Sequence, residues 1–225
     1  MQDFLNKILN ETLINPNPYL AALSHKTMSK DDFIETQVQF FFAVKHFRHP
    51  MKTLANRIPE NRNRALVLQN VEDELGNGDE SRSHENTFLV FLNRLAGLTP
   101  ESVRTRPVCE PVNAFNTTLG DVCSKGDYRK AAALMAMIEW MFSGISRQIG
   151  QATLEMGWLE KDQLVHYTIH QDLDVQHAKD FLDVIEPDWE SHGPLIIEGM
   201  KKGAILFDTL YRNLYEIRGT RIREW

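Results

Sequence analysis

Apolar residues recur at helical spacing along almost the whole of this 225-residue chain. Phe4, Leu5, Ile8, Leu9 and Leu13 form a first stripe that stops at Asn15-Pro16-Asn17-Pro18, since proline lacks the amide that would continue the ladder. Ser29 with Asp32 three residues on resembles a capping box with Asp in place of Glu. It opens a helix through Phe33, Val38 and Phe40-Phe41-Phe42 to about His49-Pro50. A third helix is expected from near Pro59 to Glu74, ended by Gly76-Asn77-Gly78. The next runs from Ser83-His84 to Gly97 and carries Phe88, Leu89, Phe91, Leu92 and Leu95. Pro100, Pro107 and Pro111 then punctuate a looser connection into residues 112–123. Three long helices follow, from about Tyr128 to Met156, from Lys161 to Ile185 and from Pro194 to Ile217, with a basic tail behind them over residues 218–225.

No strand–helix alternation, internal repeat or Gly/Ser linker interrupts this pattern. The expectation is therefore a single-domain all-α bundle of about seven or eight helices over residues 1–225, its first ~15 residues forming a leading helix. Composition adds exclusions. With 42% apolar and 25% charged residues the chain has the make-up of an ordinary globular protein. Its net charge of −6, with Lys and Arg scattered, gives no footprint for nucleic acid. The first residues carry no export signal and no apolar run approaches a membrane span, so a cytoplasmic location without membrane association is expected. Cys109 and Cys123 lack metal-site or disulfide-framework spacing and read as reduced thiols.

Candidate chemistry concentrates in three stretches. In a helix over 166–177, His170, Asp174 and His177 fall within about 60° of one another, so two imidazoles and a carboxylate share a face. That set suits iron, manganese or zinc; taken alone it reads equally well as a solvated face. Asp172 points away. The second stretch is 131–142, where Glu139 is the one charged residue among apolar neighbours. An ionised carboxylate there must be protonated, paired or bound to metal, and an ion pair with Arg147 or another arginine is the plainer alternative. The third holds Glu72, Glu74 and His84 around the Gly76–Gly78 break. Glu72 and Glu74 flank opposite sides of the Leu68-Val71-Leu75 stripe, so periodicity does not choose between them. The Phe40–Phe42 run reads as core before pocket lining.

Glu, His, a lone Glu in an apolar helix and then His-x3-Asp-x2-His together resemble the heme-oxygenase-like diiron oxidases, an all-helical superfamily that includes TenA and PqqC relatives and the CADD-like proteins. The resemblance spans about Pro18 to Phe207. It implies that Glu74, His84, Glu139, His170, Asp174 and His177 hold two Fe(II), with manganese as an alternative. It also implies that dioxygen is used to oxidise or fragment a small substrate derived from an amino acid or fatty acid. Three carboxylates would leave two ferrous ions at about +1. Phe41, Trp140 and Phe142 are the candidate substrate-pocket residues, and His166, Tyr167 and Asp172 are candidates to hold the outer imidazole nitrogens. Some relatives bring a further carboxylate on the second long helix, where this chain has Gln37, Gln39, His46 and His49. The branch making p-aminobenzoate has a tyrosine beside the long-helix Glu, whereas Glu139 lies between Ile138 and Trp140. The resemblance also admits a metal-free enzyme of the TenA or PqqC kind, a non-enzymatic interaction module, and a homodimer.

Overall fold

The computed structural model describes residues 2–219, so residues 220–225 of the expected basic tail lie outside it. Its α-helices are α1 (Gln2–Thr12), α2 (Pro18–Ser24), α3 (Lys30–Ala55), α4 (Asn61–Glu74), α5 (His84–Ala96), α6 (Pro100–Arg104), α7 (Glu110–Ser124), α8 (Tyr128–Glu155), α9 (His166–Ile185) and α10 (Trp189–Ile217). Single 3-10 turns occupy Glu80–Arg82, Lys161–Gln163 and Glu186–Asp188. The all-α architecture is as expected, but the described residues hold ten α-helices rather than seven or eight. The extra short ones begin on residues that read as breakers. Pro18 starts α2 behind Asn17, whose side chain accepts from the Tyr19 amide at 3.0 Å, and Pro100 starts α6 behind a Thr99–Ser102 capping box. A proline that cannot continue a helix is well suited to open one.

Other boundaries differ from the periodicity for identifiable reasons. α3 does not stop at Pro50 but runs on to Ala55, because Met51, Leu54 and Ala55 are fully buried and their burial outweighs one missing hydrogen bond. α9 begins at His166 and not at Lys161. Glu160 and Gln163 cap each other around the 3-10 turn, and Val165 then adopts φ +32°, a conformation costing a β-branched residue about 1–3 kcal/mol. α10 begins at Trp189, with Pro194 in its second turn.

α8 runs through the middle of the molecule: every residue from Ala131 to Glu139 is buried, and the helix packs against both α9 and α10. Gly199 and Gly203, one turn apart on α10, let that helix approach the α8 backbone. Phe33, Phe41, Phe88, Phe91, Phe181, Tyr19, Tyr167 and Tyr211 are the large aromatic side chains fully buried in the core. Cys109 and Cys123 are free thiols. Among the described residues no helix is long and apolar enough to cross a membrane.

Candidate metal centre

The connection from α4 to α5 is built from local signals. Gly76, Asn77 and Gly78 all have positive φ, and Asn77 donates to Asp73 Oδ1 at 2.6 Å. Asp79 caps the 3-10 turn through the Ser81 amide (3.1 Å), and Ser83 caps α5 through the Asn86 amide (3.3 Å). This tight return puts the last residue of α4 beside the first of α5: Glu74 Oε2 lies 2.7 Å from His84 Nδ1, both buried. Glu74, not Glu72, is the carboxylate turned inward, since Glu72 is exposed. A Cβ on Gly76 would stand 2.2 Å from the Asp79 carbonyl and 2.7 Å from the Ser83 amide, at φ +86°. Gly76→Ala is accordingly expected to lower stability by about 2 kcal/mol or more and to weaken metal uptake by displacing the Glu74–His84 pair. Thermal unfolding with and without Fe(II) checks both effects.

α8 and α9 supply the remaining groups. Glu139 is 2% exposed, and Asp174 and His177 are fully buried. His177 Nδ1 lies 3.7 Å from Glu139 Oε1, while its Nε2 meets Asp73 Oδ2 at 3.3 Å. His170 Nδ1 meets Asp174 Oδ1 at 2.7 Å, and the His84 and His170 rings are 4.2 Å apart. Glu74, Glu139 and His177 each place a ligand atom within 4.8 Å of the others. Three helices and a helix start thus bring all six sequence-predicted residues together. The arginine pairing considered for Glu139 does not form, because Arg147 donates instead to the Gln171 carbonyl at 2.7 Å.

Burial sets the protonation of this cluster. It pushes the Glu139 carboxyl up to about 7 and the Asp174 carboxyl well above its ordinary range, and it holds His170 well below its own. Burial works against charge on Glu74 and His84 too, but each is outweighed by the other, so Glu74 moves down and His84 up. His177 is likewise raised against its burial by Asp73 and Glu139, and its hydrogen bond draws Asp73 down to about 2.

A small cavity of about 40 Å³ lies beside the cluster, lined by Phe40, Ala43, Val44, Phe47, Phe115, Ile138, Phe142 and Phe207 together with Glu74, His84, Glu139 and His170. Of the three pocket residues expected from sequence, Phe142 lines it. Phe41 is turned into the core against Phe42 and Phe88, and Trp140 faces α1, its indole donating to Asn6 at 3.1 Å. Successive helical residues lie 100° apart, so Phe40 takes the cavity side that Phe41 leaves. His46 and His49 do not line the cavity: His49 is exposed and His46 half-buried. Of the local candidates to hold imidazoles, Asp172 is exposed, Tyr167 donates to Gln37, and His166 meets Thr87 at 3.1 Å. Sequence reasoning missed Asp73, the His177 partner. Its position beside Glu74 was the available signal.

Whether the cluster suits metal is testable on its unspent atoms. Glu139 Oε1, His170 Nε2, Asp174 Oδ2 and His177 Nδ1 are buried with no hydrogen-bond partner. Orphaned polar atoms cost about 1–3 kcal/mol each, and four in one buried cluster, all oxygen or imidazole nitrogen, form a set that fits iron.

Residues 35–207 match the family described as iron-containing redox enzyme. The 4-aminobenzoate synthase of Chlamydia trachomatis is 25% identical over 193 residues, covering 83% of this chain and 82% of that one. Two solved structures share the fold. A CADD-like protein of unknown function from Nostoc punctiforme has a TM-score of 0.77 at 14% identity, covering 96% of this chain and 98% of that one. A TenA homologue from P. horikoshii has a TM-score of 0.74 at 12% identity, covering 95% and 97%. A family match across more than half of the chain, on a heme-oxygenase-like fold with a buried carboxylate–histidine cluster, means that this protein belongs to the iron-containing redox enzymes.

Proposed function

We propose that the protein is a non-heme diiron oxidase or oxygenase acting on a small molecule held in the cavity beside the cluster. The observation that carries this reading is the group of four orphaned ligand atoms on Glu139, His170, Asp174 and His177, bordered by an otherwise apolar chamber. Glu74, His84, Glu139, His170, Asp174 and His177 would hold the two metals, and Asp73 would fix the His177 ring through its Nε2. Ferrous ions bound there would supply the electrons that reduce dioxygen. The protein contributes placement and dryness. Phe40, Phe142 and Phe207 pack on one another with centroids 5.5–6.4 Å apart and wall the ligand side chains from water.

The lining also bears on the substrate. Outside the six ligands no cavity residue carries a charge or an amide, so nothing is available to hold an ammonium group. That favours a molecule with an apolar body and a single acidic head, of the fatty-acid class, over a free amino acid. Oxygen consumption by the Fe(II)-loaded protein, measured against a panel of fatty acids and amino acids, tests the reading. Turnover is expected with medium-chain acids, and no oxygen uptake above the His177→Ala variant with any compound would contradict it. Appearance of 4-aminobenzoate would move the reading to the activity of the Chlamydia relative.

Metal uptake should depend on pH. Glu139, titrating near 7, and the raised Asp174 and His177 carry protons in the metal-free protein that ligation must displace. Fe(II) affinity is expected to rise across roughly pH 6 to 8 by about tenfold per unit for each proton released. Anaerobic titrations at three pH values check this, and a flat affinity would contradict the ligand assignment.

A further inference from the structure

The group that the site as described leaves unused is His166. It is fully buried at the first position of α9, and one turn separates it from His170, whose ring centroid lies 4.1 Å from its own. The His84 ring is 6.1 Å away, nearly perpendicular. On a helix His166, His170, Asp174 and His177 occupy an arc of about 80°, so α9 presents four metal-ligand types on one face.

The second observation concerns its nitrogens. Thr87 sends its hydroxyl to the His84 carbonyl at 3.2 Å, and its oxygen lies 3.1 Å from His166 Nδ1. With the Thr87 proton directed to that carbonyl, Nδ1–H donates to Thr87 and Nε2 is left as a lone pair. That Nε2 is buried and has no partner. A histidine there for packing alone would be better replaced by the aromatic side chains that already surround it, Phe88 at 4.7 Å and Phe142 at 6.2 Å. The strained φ of Val165, immediately before it, is spent on starting α9 at this residue.

We infer that His166 is a seventh protein ligand of the metal centre, donating Nε2 to the metal nearest His170, with Thr87 as the residue that fixes its ring. The inference rests on the diiron reading and deepens it: six ligands could be shared equally by two metals, and a seventh would make them unequal. One metal would then have more protein groups than the other and bind more tightly, and the other would exchange more readily.

Anaerobic titration with Co(II), followed by calorimetry and by the visible d–d absorption, reads the two metals separately. The variants are His166→Gln, which keeps volume and polarity, and Thr87→Val, which leaves His166 in place. Unfolding of each metal-free variant is measured alongside. The wild type is expected to bind two metals with unequal affinities. His166→Gln should weaken the tighter one at least about tenfold and change its absorption, with the weaker metal and metal-free unfolding little altered, and Thr87→Val should have a smaller effect in the same direction. Two equal metals in the wild type, or unchanged affinities and spectrum in His166→Gln, would overturn the inference while leaving the six-residue centre intact. If His166→Gln does not fold, Thr87→Val decides: unchanged tight-site affinity and spectrum overturn the inference. Absence of any binding by the wild type would remove the diiron reading itself.

Discussion

Replacing Glu139 by glutamine is expected to abolish loading of the diiron centre while leaving the metal-free protein as stable as the parent or more so. The two effects have opposite signs and one cause. The carboxylate is a ligand for which the amide is a poor substitute, and in the absence of metal it is a buried acid that resists ionisation. Its folded pKa stands at about 7 against an ordinary 4.5. A carboxyl raised on folding adds stability below the unfolded value and loses it as pH rises through the folded one. At pH 8 the ionised group therefore burdens the metal-free fold, and glutamine relieves on the order of 1–3 kcal/mol. His177 retains Asp73 at 3.3 Å, so the variant does not strand that imidazole. Unfolding of both proteins at pH 8, with and without Fe(II), checks the prediction. A variant that still gained the wild-type increment from iron would contradict it.

The second large effect is structural. A Cβ on Gly203 would stand 2.5 Å from the Leu134 carbonyl oxygen and 3.1 Å from its Cα, which are backbone atoms that cannot rotate aside. Alanine normally gains about 1 kcal/mol over glycine inside a helix. Here α10 would have to lift off α8, and overpacking of about 3 kcal/mol outweighs that gain. The displacement acts on α8 five residues before Glu139, so iron loading should fall together with stability. Gly144→Ala on α8 is the internal control. Nothing lies within 4 Å of its Cβ, and it should be neutral or stabilising by up to about 1 kcal/mol. Denaturant unfolding of the two variants separates crowding from propensity, and equal responses would contradict the close α8–α10 contact.

Much of this site was legible because helices encode direction in spacing. Asp174 and His177 fall on the face of His170 by arithmetic, and Glu139 stood out as the single charge in an apolar turn. What spacing does not encode is how separate elements meet. Glu72 and Glu74 were equivalent on periodicity, and the Gly76–Ser83 return chose Glu74 by carrying it against His84. Asp73 escaped notice because its partner, His177, is 104 residues away. Phe41 and Trp140 read as pocket residues yet line no part of the cavity, because apolar character alone does not say which side of a helix faces the cavity and which the core. Pro18 and Pro100 read as interruptions from sequence alone, and only the capping hydrogen bonds of Asn17 and Thr99 distinguish a start from a stop.

Glu74, His84, Glu139, His170, Asp174 and His177 are proposed to form one centre for two metals. Anaerobic Fe(II) titration of the wild type and of His177→Ala, read as iron bound per chain after removal of free metal, tests it most directly. About two irons in the wild type and at most one in the variant is the predicted result. Wild-type protein that retains no more iron than His177→Ala would contradict the account.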